Sequence, residues 1–226
     1  GFAGSGMAYA LIQGVNPIDA INVSTILKIV SFIVLAPVIG MTISIIITLI
    51  IINISKNSRP RVAEKWFKFL QLISSAALSF AHGGNDAQKV MGIIATALIA
   101  QGVIGSFEEM PNWVPLSCYI AIAAGTMSGG WKIVKTMGTK ITKVTPLEGV
   151  SAEAAGALTL GITEHYGIPA STTHTITGAI IGVGVVKRVS AVRWGVTISL
   201  LWAWILTIPV SAVLGGATLA LIHYIL

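Results

Sequence analysis

The sequence predicts an all-α polytopic membrane protein with a broken helix and a re-entrant helical hairpin, built on an inverted repeat. Three observations carry that expectation. Of the 226 residues, 54% are hydrophobic and 10% charged, with a mean hydropathy of +0.87, whereas a soluble domain carries about 25% charged residues to build its wet surface. Apolar runs long enough to cross a hydrocarbon core, which takes about 20 helical residues, recur along the chain. Polar residues with glycine or proline interrupt those runs in two places, where the bilayer makes them costly. Soluble enzymes, secreted disulfide scaffolds and disordered regions are excluded by the composition.

The elements follow in chain order. Gly1-Phe2-Ala3-Gly4-Ser5 has no initiator methionine, basic n-region or small-residue cleavage pattern, so the chain is expected to begin mid-repeat. Residues 1–54 read as the end of a first repeat, a half-helix followed by a long span from Ser24 to Ile54 whose single charge is Lys28. Residues 55–68 form a basic loop with Lys56, Arg59, Arg61, Lys65 and Lys68. Residues 69–226 read as a second repeat. It takes in most of an apolar stretch from Trp66 to Gly102 interrupted at 82–89, and a further span from Val114 to Trp131. Two short pieces follow, Ser151 to Tyr166 and Ala170 to Val186, joined by Gly167-Ile168-Pro169 as a hairpin over 147–186. The last span, Trp194 to Leu226, contains Pro209 as an expected kink.

Lys132, Lys135, Lys140 and Lys143 make a second basic cluster, and Lys187, Arg188 and Arg193 a third. Glu108, Glu109 and the Asp19 region mark loops on the opposite side. The positive-inside rule assigns the basic clusters to the cytoplasm, and the count of crossings then requires the hairpin to return to the side it left. The net charge of +6 therefore faces anionic lipid rather than nucleic acid. The single cysteine, Cys118, reads as a small buried hydrophobe. Trp194, Trp202 and Trp204 read as belt or packing residues, His223 as interfacial, and Glu148 and Glu164, at segment ends, as solvated.

An internal similarity points to the repeat. Gly4-Ser5-Gly6 matches Gly182-Val183-Gly184, and Ala36-Pro37-Val38 matches Ile208-Pro209-Val210, at offsets of 178 and 172 residues. The loop charges give the two copies opposite orientations, as in inverted-topology transporters.

The polar interruptions carry the chemistry. In His82-Gly83-Gly84-Asn85-Asp86-Ala87-Gln88-Lys89 the glycines are expected to let the helix unwind, Asn85 and Asp86 offer hard oxygen ligands, and a half-helix starts near Ala87 with its amides exposed. The plainer reading is a tight turn capped by Asp86. In Gly167-Ile168-Pro169-Ala170-Ser171-Thr172-Thr173-His174, Pro169 suits a first helical turn, and three hydroxyls stand beside exposed N–H groups at a positive dipole end. That is an anion site. No Arg or Lys is near it to make a permanent salt bridge. The plainer reading is that the hydroxyls only cap a helix that packs through Gly178, Gly182 and Gly184. Glu153, in the first arm of the hairpin, is a cation or proton site or else an interfacial carboxylate. His82, Gly84 and His174 are expected to support these groups.

At both motifs the sequence resembles the inorganic phosphate transporter family in its bacterial form. Ala81 to Gly92 is similar to the family's G-x-N-D signature, Gly167 to His174 resembles its P-x-S-T-T-H motif, and Glu153 matches the glutamate that precedes it. The resemblance implies phosphate symport with sodium or protons and no enzymatic activity. It implies phosphate binding by Ser171, Thr172 and Thr173, with Gln88 beside them, and cation binding, sodium if sodium-coupled, by Asn85 and Asp86 with Glu153 assisting. No cofactor is implied beyond a sodium ion. The family's first N-D turn and first S-T-T-H hairpin are absent, so the chain is expected to need its N-terminal half or a second chain. The implied location is a bacterial inner membrane, and the small residues from Gly125 to Gly130 offer a face for a homo-oligomer. Two other classes fit some of the same residues: an intramembrane hydrolase using Ser171 and His174, and an ion channel. The hydrolase lacks a third orienting group, and a channel needs a continuous lined pore.

Overall fold

The computed structural model describes residues 1–130, 135 and 137–225. Trp131, Lys132 and Leu226, assigned above to a span end, a basic cluster and the last span, lie outside the described residues. The described residues form seven α-helices: α1 (Phe2–Ile12), α2 (Val23–Ser55), α3 (Pro60–Ala100), α4 (Trp113–Gly129), α5 (Pro146–His165), α6 (Thr172–Lys187) and α7 (Trp194–Ile225). A single π-helical turn, Met137–Ile141, precedes α5. The all-α expectation is met. The helices α2 and α7, with 33 and 32 residues, are about 50 Å long at 1.5 Å per residue and apolar enough to cross a membrane.

Two compact units divide the chain, residues 1–31 with 194–226 and residues 32–193. In the first, α1 lies on α7. Gly4 meets the backbone of Ala212 with no room for a Cβ, a Cβ on Gly216 would stand 3.2 Å from the Gly4 carbonyl, and Ser5 Oγ donates to the Gly215 carbonyl at 2.9 Å. The helix α7 continues through Pro209.

In the second unit α5 runs alongside α3 in the same direction. Thr145, Pro146 and Leu147 lie by Pro60 to Phe67, Glu153 meets Ser74, Gly156 packs on Leu78 and Glu164 reaches Gln88. Gly167, at φ +61°, supplies the left-handed residue that ends α5, and the chain turns back as α6. Small residues let α6 lie close to α2: Gly178 abuts the Pro37 carbonyl, Gly182 abuts Ser44 and Met41, and a Cβ on Gly40 would stand 2.6 Å from the Thr175 carbonyl. Gly4 and Gly182 thus each pack on a Pro-containing helix, α7 and α2 respectively. On α2 the buried Ala36, Gly40, Ser44 and Thr48 recur every four residues, a small-residue stripe of the kind that joins helices in lipid. The C-terminal part of α3 packs on α4 through Ala87, Met91, Val114 and Cys118, and Cys118 is buried as expected.

The expected unwinding at 82–89 does not occur, because α3 is helical from Pro60 to Ala100. A helical glycine costs only about 1 kcal/mol relative to alanine. Packing of α5 along α3 and the side-chain bonds of Asn85 and Asp86 outweigh that cost. No half-helix starts at Ala87, so no free amides are presented there. Pro169 is likewise not in a first turn: α6 begins at Thr172 with Ser171 as its cap, and Pro169 stands two residues before the cap.

Candidate functional site

The tip of the α5–α6 hairpin meets the middle of α3. Asn85 Nδ2 donates to the Ala170 carbonyl at 3.0 Å, and Lys89 Nζ donates to the same oxygen at 3.3 Å. Lys89 also pairs with Asp86 Oδ1 at 2.9 Å. The second Asp86 oxygen has His82 Nδ1 at 3.5 Å and Thr172 Oγ1 at 3.5 Å. Three consecutive turns of α3 supply these groups, since residues at i, i+3 and i+4 or i+7 share a face. The expectation that no Lys or Arg stands near the hairpin motif is corrected here: Lys89, 81 residues away in sequence, touches its tip.

The start of α6 is built as a capped N-terminus. Ser171 Oγ accepts the backbone N–H of His174 at 3.4 Å, and Thr175 Oγ1 donates to the Ser171 carbonyl at 3.0 Å. Thr172 is buried and Thr173 exposed. Ser171 therefore does the capping work of the plainer reading. Thr172 turns from the helix end to the Asp86 carboxylate, an interaction that capping alone does not need.

Beside this junction, α3, α5, α6 and the Met137–Ile141 turn line an open cavity of about 410 Å³. Its polar lining includes Gln71, His82, Glu153, Thr172 and Thr173, set in walls of Leu78, Ile176 and Ile180. Glu153 accepts a hydrogen bond from Ser74 Oγ at 2.6 Å. Ser74 lies twelve residues before Asp86 on α3, about 18 Å along the axis. The structure thus brings Asn85, Asp86, Thr172 and His82 together and places Glu153 at the other end of the cavity, too far to share one ion with Asp86. Gln88 also faces elsewhere, donating to Glu164 Oε1 at 2.8 Å, and Gly84 lies against the same Glu164 carboxylate.

Three features escaped the sequence reading: the reach of Lys89, the Ser74 partner of Glu153, and the burial of Glu148. Instead of being solvated, Glu148 is 9% exposed. It accepts hydrogen bonds from the N–H and hydroxyl of Thr145 and pairs with Lys187 Nζ at 2.9 Å. The capping-box spacing of Thr145 and Glu148 was the available signal for the first of these partners. Lys187 joins the two ends of the hairpin.

Comparison with known proteins identifies the family. The profile of the phosphate transporter family matches residues 52–215. A protein of Rhizobium meliloti (strain 1021), described as a probable low-affinity inorganic phosphate transporter, is 48% identical over 191 residues, covering 84% of this chain and 57% of its own length. A Bacillus subtilis (strain 168) protein of the same description is 39% identical over 206 residues, 91% of this chain and 62% of its own. The human sodium-dependent phosphate transporter 1 is 36% identical over 162 residues, 71% of this chain and 24% of its own. The chain thus spans little more than half the length of the bacterial relatives. A solved structure titled the sodium-dependent phosphate transporter shares the fold, with a TM-score of 0.81 at 24% identity over 99% of this chain and 71% of that one. With its two motifs joined in one junction and its profile matched across most of its length, this integral membrane chain belongs to the phosphate transporter family.

Proposed function

We propose that the chain carries phosphate across the membrane in symport with a cation, sodium or proton, in a bacterial inner membrane. The observation that supports this most directly is the junction of Thr172, at the capped start of α6, with the Asp86 cluster on α3. A helix N-terminus lined with hydroxyls attracts an anion, and a cation-balanced carboxylate beside it adds no net negative charge to repel that anion. Relatives described as phosphate transporters support the choice of anion. Glu153, in its own half of the cavity, is the second carboxylate available to a coupling ion or proton. In this reading residues 1–54 end one repeat and residues 69–226 form the other. Gly4 of the first packs on α7 of the second, and Gly182 of the second on α2 of the first, a reciprocal exchange of the kind two related repeats would make. The remaining site groups come from the rest of a longer polypeptide or from a second chain, and alternating access rocks one repeat against the other.

The hydrolase alternative is disfavoured because Ser171 Oγ is engaged as a cap by the backbone of His174. The test is phosphate uptake by the full-length protein in proteoliposomes, with sodium and proton gradients varied separately. Uptake that survives Asp86→Asn and Ser171→Ala together would overturn the assignment.

A further inference from the structure

We propose that Lys89 is a built-in cation. Its ammonium occupies, on the Asp86 carboxylate and the Ala170 carbonyl, the position that a free sodium ion would take, so that this oxygen set binds no sodium. The inference rests on the symport reading above and refines it.

A charged carboxylate and a backbone carbonyl brought together from two elements are hard oxygen donors of the kind that hold hard cations. Here that place is filled from within the chain. Lys89 Nζ lies 2.9 Å from Asp86 Oδ1 and 3.3 Å from the Ala170 carbonyl. Asn85 Nδ2 donates to the same carbonyl at 3.0 Å, so both lone pairs of that oxygen are in use. The other Asp86 oxygen faces His82 and Thr172.

Three consequences follow from the tether. Lys89 is three residues from Asp86 on one helix, so its ammonium is always within reach and competes with free sodium at a high local concentration. An entering ion would also crowd two positive charges onto one carboxylate. The pair is neutral without any bound ion, which lets a phosphate dianion approach the start of α6 with no net negative charge on α3 beside it. The Lys89 contact with the Ala170 carbonyl also holds the hairpin tip to α3.

Sodium counting on the purified full-length protein tests this directly. Equilibrium binding of radioactive sodium is measured for wild type, Lys89→Gln and Lys89→Arg, without phosphate. Lys89→Gln frees the oxygens and should bind one additional sodium ion per chain, while Lys89→Arg keeps a fixed cation and should match wild type. An unchanged count in a monodisperse Lys89→Gln protein overturns the proposal. Asp86→Asn, made in the wild-type background, gives a second reading that does not depend on how Lys89→Gln folds. Its sodium count should equal that of wild type, and the loss of one ion would sink the idea. Because sodium is counted alone, absence of phosphate uptake by wild type would overturn the transport reading and leave the sodium count to judge Lys89.

Discussion

Asp86 is the residue on which most of the junction converges, with contacts to Lys89, His82 and Thr172. A hydrogen bond to a charged group contributes about 1.5–3 kcal/mol, so Asp86→Asn should lower phosphate uptake by roughly tenfold or more at saturating cation. Initial-rate uptake in proteoliposomes checks this, and a rate within twofold of wild type would remove Asp86 from the site. Ser171 poses a different question, because its hydroxyl caps α6 and is also proposed to meet phosphate. The two roles separate with Ser171→Asp. Aspartate is as good a cap as serine and favours the dipole end, so the melting temperature in detergent should hold. Its charge repels an incoming phosphate, so uptake should fall to background. Retained uptake would reduce Ser171 to a cap and no more.

Among the elements, α6 is the one whose placement depends on small residues. A methyl at Gly178 would enter the Pro37 carbonyl, which belongs to backbone and cannot rotate away. Gly178→Ala should therefore cost about 1–3 kcal/mol as overpacking, read as a lower melting temperature. Gly161→Ala on α5 is the matched control, since nothing stands within 4 Å of its added Cβ. It should be neutral or stabilise by up to about 1 kcal/mol through helix propensity. Equal melting shifts for the two would mean that α6 does not rest on α2 as described. At the base of the hairpin, Glu148→Gln removes the charge that holds Lys187. Lys187 is 43% exposed, so solvent screening limits the stability loss to roughly 1 kcal/mol. The sharper signal is local: amide exchange should quicken in the first turn of α5 and the last turn of α6. Unchanged exchange there would rule out a clamp.

At the scale of the whole chain, what was legible in the sequence was what local chemistry decides. The helices, the Ser171 region as a helix start, the buried Cys118 and the hairpin all follow from apolar runs, cap residues and Gly167. The glycine pair at 83 and 84 misled because its modest cost is set against packing with α5, which sequence spacing does not display. The contact of Lys89 with Ala170, and of Glu148 with Lys187 39 residues on, arise only when the hairpin folds back. The same fold-back bears on topology. Since Glu148 and Lys187 join the ends of α5 and α6, the hairpin returns to its starting side, and since Thr145 to Leu147 lie by the first turns of α3, that side is the one where α3 begins. Its tip stops at Asn85 and Lys89, leaving residues 90–100, about 15 Å of helix, beyond it. A re-entrant hairpin should therefore show one-sided labelling. Cysteines placed singly at Lys65, Lys143 and Arg188 should react with a membrane-impermeant maleimide from the cytoplasmic side, and one at Glu108 from the opposite side. Cys118, 4% exposed, leaves a quiet background. Labelling of Lys143→Cys and Arg188→Cys from opposite sides would show that the hairpin makes a net crossing, and with it the positive-inside assignment of the last basic cluster would fall.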